Sequence, residues 1–170
     1  MNYEQLFQPE QPTFYVQVAD ESSLADLYFQ LTSDYPQAAI RMVRGNKSKT
    51  VPDFFNEIGA ALQFPYYFGE NWDAFDECIT DLSWLDGDAY LLIVNQANLL
   101  LQDATQKDFQ ILMQVLSDAY QTWLTQPQIV NEEEQPTAFH VLLACTDEHL
   151  SAFSRRLTDA GVEFHYVNPS

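Results

Sequence analysis

Basic side chains are what this sequence has least of: seven Lys and Arg stand against 25 Asp and Glu, for a formal charge of −18. Between Lys49 and Lys107 there is no Lys or Arg at all, while ten acids fall in that interval. Such a surface repels phosphate backbones and anionic headgroups, which disfavours direct binding of nucleic acid or of a membrane surface. A basic partner would instead be steered towards the uninterrupted acidic segment. Cysteine is scarce too. Cys78 and Cys145 are the whole complement, with no CxxC and no Cys/His spacing of a metal site, and they read as two buried thiols in a reducing compartment. No apolar run approaches a membrane span, and the opening MNYEQLFQPEQPTF has neither a basic n-region nor an apolar h-region. A soluble, cytoplasmic protein is expected.

Catalytic signatures are missing as well: no GxSxG, no HExxH, no P-loop and no dinucleotide glycine fingerprint. His140 and His165 fall in predicted strands and His149 early in a predicted helix, where packing suits them better than catalysis. Glu70, Asp73, Asp76 and Glu77 are close enough in sequence to hold Mg²⁺. That ion usually works beside a substrate phosphate, however, and this surface lacks the basic groups to bind one. The expectation is a protein that is not an enzyme and uses no cofactor or metal.

What the chain does have is length and apolar content for one real core, with 170 residues of which 46% are hydrophobic. Residues 1–12, with Pro9 and Pro12, read as a loose lead-in. Residues 13–19 alternate as a strand, and Ser22 or Ser23 caps a helix through Leu24, Leu27, Tyr28 and Leu31 that Pro36 closes. Residues 1–37 are thus expected to form an N-terminal β-α extension packed on the core, and 38–170 the main domain. There, residues 38–44 form a strand. Thr50 caps a helix over Val51 to Leu62 that turns Phe54, Phe55, Ile58 and Leu62 inward. Residues 89–94 are the continuous apolar run of a strand covered on both faces. Thr105 and Asp108 make a capping box for the longest helix, whose buried stripe is Phe109, Leu112, Met113, Leu116, Tyr120 and Trp123. Asp118 lies off that stripe and faces solvent.

Residues 126–137, with the Glu132-Glu133-Glu134 run, read as a solvated loop. A buried strand follows over 138–145. Asp147 then caps a helix with Arg155 and Arg156 on its outer side, Gly161 ends it, and 162–167 is a last strand. Alternation of strands and helices predicts an α/β fold, a mainly parallel sheet flanked by helices on both faces.

The densest stretch is Phe64 to Leu85, FPYYFGENWDAFDECITDLSWL. With Asn71 as cap, residues 72–82 divide into two stripes at helical spacing. Phe75, Cys78, Ile79 and Leu82 share an apolar face, while Asp73, Asp76, Glu77 and Thr80 share an acidic one with Asp81 beside it. Tyr66, Tyr67, Phe68 and Trp72 stand at its entrance, and Gly69 is expected to take a backbone angle that a side chain resists. The acidic stripe is either a solvated face or a binding surface, in which carboxylates pair with Arg and exposed aromatics supply rigid contact area.

The run Pro65-Tyr66-Tyr67-Phe68-Gly69-Glu70-Asn71-Trp72-Asp73-Ala74-Phe75 resembles the signature of the barstar family, intracellular inhibitors of barnase-type ribonucleases. The resemblance is gapless from about Val51 to Thr80 and extends over residues 38–145. It implies a three-layer fold whose second helix and preceding loop plug the nuclease active site. By that resemblance Tyr67, Asn71 and Trp72 are contact positions of the loop and Asp73 an inhibitory acid. Glu77 stands where the family has the aspartate that occupies the phosphate site, Thr80 and Asp81 are neighbouring contacts, and Asp118 is the acid of the following long helix. Asp76 takes a position where the family often has tryptophan. The implied protein is a cytoplasmic immunity protein or antitoxin, a monomer when free, that binds a basic ribonuclease. The alternative is a barstar-like interaction adaptor without a nuclease target, contacting its partner through the N-terminal β-α unit.

Overall fold

The computed structural model describes residues 2–10, 12–126, 128–130 and 133–167. The lead-in is not loose. A 3-10 turn at Glu4–Phe7 places Tyr3 and Leu6, three residues apart, on one buried side, and Phe7 stacks on Tyr35 with ring centroids 3.7 Å apart. Strand β1 (Phe14–Val18) leads to helix α1 (Glu21–Asp34). Its cap is Asp20 rather than Ser22 or Ser23: the carboxylate accepts from the Ser23 amide at 2.8 Å, since Asp20 is the residue with the extended backbone that a cap needs.

Strand β2 (Ala39–Arg44) is followed by α2 (Val51–Ala61), capped as expected by Thr50, with Phe54, Phe55 and Ile58 buried. Between them, Gly45 passes so close to the next strand connection that a Cβ there would stand 2.7 Å from the Asn95 carbonyl oxygen. Helix α3 (Trp72–Asp81) comes next, then β3 (Ala89–Asn95), buried along its whole length, and α4 (Gln106–Thr125), where the Thr105 and Asp108 capping box forms. Each Phe, Leu, Met or Trp of the α4 stripe that leaves water contributes about 1.5–3 kcal/mol, which holds this long helix on the sheet.

Past α4 the solvated loop is partly structured: β4 (Gln128–Val130) and β5 (Glu133–Gln135) pair antiparallel, while Pro127, Asn131 and Glu132 lie outside the described residues. The fully buried β6 (Ala138–Cys145), α5 (Asp147–Asp159) and β7 (Phe164–Tyr166) complete the chain. The N-cap of α5 is Thr146, one residue before the expected Asp147, and Gly161, at φ 74°, takes the left-handed turn that closes the helix. Arg156 points inward, not outward. Its guanidinium lies 3.8 Å from the centroid of the Phe109 ring and donates to the Leu100 and Leu101 carbonyls at 2.7 and 3.2 Å.

The five-stranded sheet has the order β2-β3-β6-β1-β7 and every pairing in it is parallel. Its two faces carry two cores. Leu24, Leu27 and Leu31 of α1 cover Tyr15, Leu91, Ile93 and Leu142; helices α2 to α5 cover Val16, Leu92, Val94 and Leu143. This is an α/β three-layer architecture with helices on both faces. β1 is hydrogen-bonded between β6 and β7, in register Phe14 with Val141 and with Phe164. His140 is wholly buried in β6, its Nδ1 3.0 Å from the Pro12 carbonyl and its Nε2 2.7 Å from that of Gln8. That makes it a core histidine tying the lead-in to the sheet.

Candidate functional site

Helix α3 forms because Asn71, extended at φ −139°, accepts from the Ala74 amide at 2.9 Å, and because Phe75, Cys78 and Ile79 recur on one face. The loop before it is shaped by alternation. Phe64 and Phe68 turn inward, their rings 4.9 Å apart, and Phe68 also meets Phe55 edge-on. A turn closed by Phe68 N–H donating to the Pro65 carbonyl at 2.9 Å pushes the two intervening residues outward. Tyr66 is therefore fully exposed and Tyr67 67% exposed, their rings 5.6 Å apart and nearly perpendicular. The left-handed angle expected of Gly69 belongs to its neighbour Glu70, at φ 49°. Gly69 is small for a different reason: a Cβ there would sit 3.1 Å from the Asn71 side-chain nitrogen, crowding the cap.

The sequence-derived site residues fall into three groups. Asp73, Asp76, Glu77 and Asp81 are exposed along α3, and Asp118 is exposed on α4. Asp118 is close enough to raise the pKa of Asp76, after the larger effect of partial burial and together with the charges of Asp73 and Glu77. Trp72 is half-buried and belongs to the aromatic cluster, 5.0 Å from Phe55 and 6.2 Å from Phe54 between centroids. The Thr80 hydroxyl is committed to the helix itself, donating to the Asp76 carbonyl at 2.7 Å. Asp118 accepts from the Gln114 side chain at 2.8 Å, and Asp81 accepts from the Ser83 amide at 3.3 Å.

No Lys or Arg pairs with any of these acids among the described residues; the ion pair that is present joins Arg44 to Glu57 at 2.8 Å. Glu77 and Asp81 also occupy the C-terminal half of α3, where the macrodipole disfavours negative charge and no basic residue offsets it. Four unpaired carboxylates on ten residues are thus a local liability, and a surface that retains them is suited to an external cation. Beside the end of α3, Thr80, Asp81, Ser83, Asp86 and Gln126 line an open hollow of about 440 Å³. Asp86 lies in the turn just past α3 and Gln126 at the end of α4, so neither falls on the helical stripe that the spacing defines. Tyr66, which the spacing places only at the entrance to the acidic stripe, is fully exposed. Among the described residues no group of three His, Cys, Asp or Glu side chains is placed to hold a metal ion, and no helix is long and apolar enough to cross a membrane.

A parallel α/β sheet thus carries the acidic helix α3 and the aromatic loop side by side, with Asp118 of α4 near them. Over residues 38–144 the chain matches the family model described as barstar, the barnase inhibitor, and it belongs to that family. No curated protein matches the chain. Two of the solved structures that resemble it do so at low identity. One is the Aeropyrum pernix ORC2 protein in its ADPNP and ADP complexes, at 12% identity and a TM-score of 0.52, covering 90% of this chain and 40% of that one. The other is Drosophila ORC bound to AT-rich DNA and Cdc6, at 13% identity and a TM-score of 0.48, covering 92% of this chain and 50% of that one. The chain thus spans half or less of those proteins, and at 12% identity the ORC2 likeness is one of fold.

Proposed function

We propose that this protein inhibits a basic ribonuclease in the cytoplasm, as an immunity protein or antitoxin, by seating α3, the Tyr66-Tyr67 loop and Asp118 in the enzyme's cationic cleft. The observation that carries this reading is the set of unpaired carboxylates on α3 and α4, in a chain that matches the barnase-inhibitor family over the same residues. Glu77 and Asp73 would meet phosphate-binding Arg, Lys and His groups of the enzyme, and Tyr67, Asn71 and Trp72 would border the contact, with Asp76, Thr80 and Asp81 beside them. Desolvated charge pairs between proteins contribute several kcal/mol each, part of it the penalty for stranding a partner. Residues 38–170 carry the inhibitory surface in this reading, and residues 1–37 are a β-α extension packed on the core. The free protein is a monomer.

The test is titration of a basic barnase-type ribonuclease with the protein, following RNA cleavage. Inhibition is expected, and Glu77→Ala is expected to weaken it by more than about 2 kcal/mol. An unchanged dissociation constant removes Glu77 from the site. A partner that is not basic and that contacts α1, where Phe29 is 70% exposed, would favour an adaptor instead.

A further inference from the structure

β1 and β6 are adjacent and parallel, yet the helices that follow them leave on opposite faces: α1 packs with the Tyr15 and Leu142 layer, α5 with the Val16 and Leu143 layer. Where neighbouring strands send their connections to opposite faces, a crevice opens beyond their carboxyl ends, the usual place for a ligand in such sheets. Here it is a cavity of about 140 Å³, whose polar walls include Asn95, Gln96, Asn98, Asp20, Glu21, Thr146 and His149. None of these belongs to α3 or α4.

Asn95 is only 7% exposed, and among the described residues nothing hydrogen-bonds its side-chain amide. The amide atoms are not sealed off, so they open onto the cavity the residue borders. Buried carboxamides are nearly always paired; here pairing is left to what enters. The remaining wall is rich in acceptors. Asp20 is held in place by the Ser23 amide and hydroxyl at 2.8 and 2.7 Å, and a carboxylate has acceptor sites beyond those. Thr146 makes no side-chain cap bond, so its hydroxyl is also unspent. Two carboxylates border the cavity and no Lys or Arg does. The positive ends of α1 and α5 work against a cation, but Glu21, Asp147 and Glu148 load both first turns with acid. Ala19, Leu99 and Cys145 supply an apolar patch beside the polar wall.

We propose that this cavity binds the ammonium group of a small alkylamine or diamine. The ammonium's three donors are shared among Asp20, Asn95 and Thr146, and its methylenes lie on the apolar patch.

The test is titration of ¹⁵N-labelled full-length protein with 1,4-diaminobutane at physiological salt, read by amide chemical shifts. Saturable shifts are expected at residues 95–98 and 146–149. Asn95→Leu and Asp20→Asn should each weaken binding by about tenfold or more, the loss of one charge-assisted or buried hydrogen bond; Asp20→Asn keeps the α1 cap, because asparagine caps equally well. Glu77→Ala should leave amine affinity unchanged, so failure here and failure of ribonuclease inhibition are separate results. Non-saturating shifts spread along α3, unchanged affinity in either variant, or equal saturation by acetate or inorganic phosphate would each overturn the proposal.

Discussion

The indole N–H of Trp123 on α4 donates to the backbone carbonyl of Ile79 on α3 at 3.0 Å. That carbonyl is among the last four of α3, which have no partner within the helix, so one helix caps the other. The bond also fixes the helix bearing Glu77 against the helix bearing Asp118.

Replacing Trp123 with Phe keeps a ring near Tyr90, now 4.8 Å from the indole, but removes the donor. The buried carbonyl is then unsatisfied at a cost of about 1–3 kcal/mol. A fall in the urea midpoint with the slope retained would report it, and under the proposed function inhibition of a basic ribonuclease should weaken in parallel as Glu77 and Asp118 lose their fixed spacing.

Asp76→Asn is expected to stabilise the free protein. Partial burial first, and then the charges of Asp118, Asp73 and Glu77, raise the Asp76 pKa above the usual 3.8. Because the folded state holds this proton more tightly than the unfolded chain, the group's contribution falls as pH rises from the unfolded pKa through the folded one. At pH 7 the variant should gain a few tenths of a kcal/mol, about 0.2–0.5 by relief of like-charge helical neighbours. Near pH 3.5 the gain should vanish, as paired urea titrations at the two pH values would show.

His140 should titrate below the ordinary 6.5 of histidine, because burial lowers its pKa more than its carbonyl partners raise it. Well above pH 6.5 both states are neutral and it contributes no pH dependence. Below 6.5 the unfolded chain takes the proton first, so this contribution to stability is lost as pH falls towards the folded value. The imidazole resonances give the midpoint directly, and a midpoint at or above 6.5 would contradict the burial account.

Association with a basic ribonuclease should slow steeply with added salt, because ten acids lie between Lys49 and Lys107 without one Lys or Arg among them. Stopped-flow mixing over a salt series measures this. An association rate indifferent to salt would mean that the acidic segment does not steer.

Features set by neighbouring residues were legible in the sequence. Asn71, Thr50 and the Thr105–Asp108 box cap as expected, and the apolar faces of α2, α3 and α4 are buried. The failures have local or long-range causes. Asp20, Ser22 and Ser23 compete for one cap within four residues, and only backbone geometry separates them. Glu70 rather than Gly69 takes the left-handed angle, while Gly69 is kept small by its closeness to the Asn71 side chain, a contact that no local pattern shows. Arg156 turns inward for carbonyls 55 and 56 residues away, which no local pattern encodes. Within the candidate site, the α3 stripe was readable by its spacing. Asp118 joined the candidate residues only through the family resemblance, because nothing in local periodicity joins two helices, and its nearness to Asp76 is visible only in the structure.

The place of β1 in the sheet bears on how the molecule is made. Phe14 pairs with Val141, so during synthesis at about 5–20 residues per second the first strand waits roughly 6–25 s for its central neighbour to exist. Through that interval its apolar residues have no sheet to join. Newly made chains are therefore open to chaperones and proteases until β6 emerges, and only then can α3 and α4 rest on a sheet in which β6 joins β3 to β1.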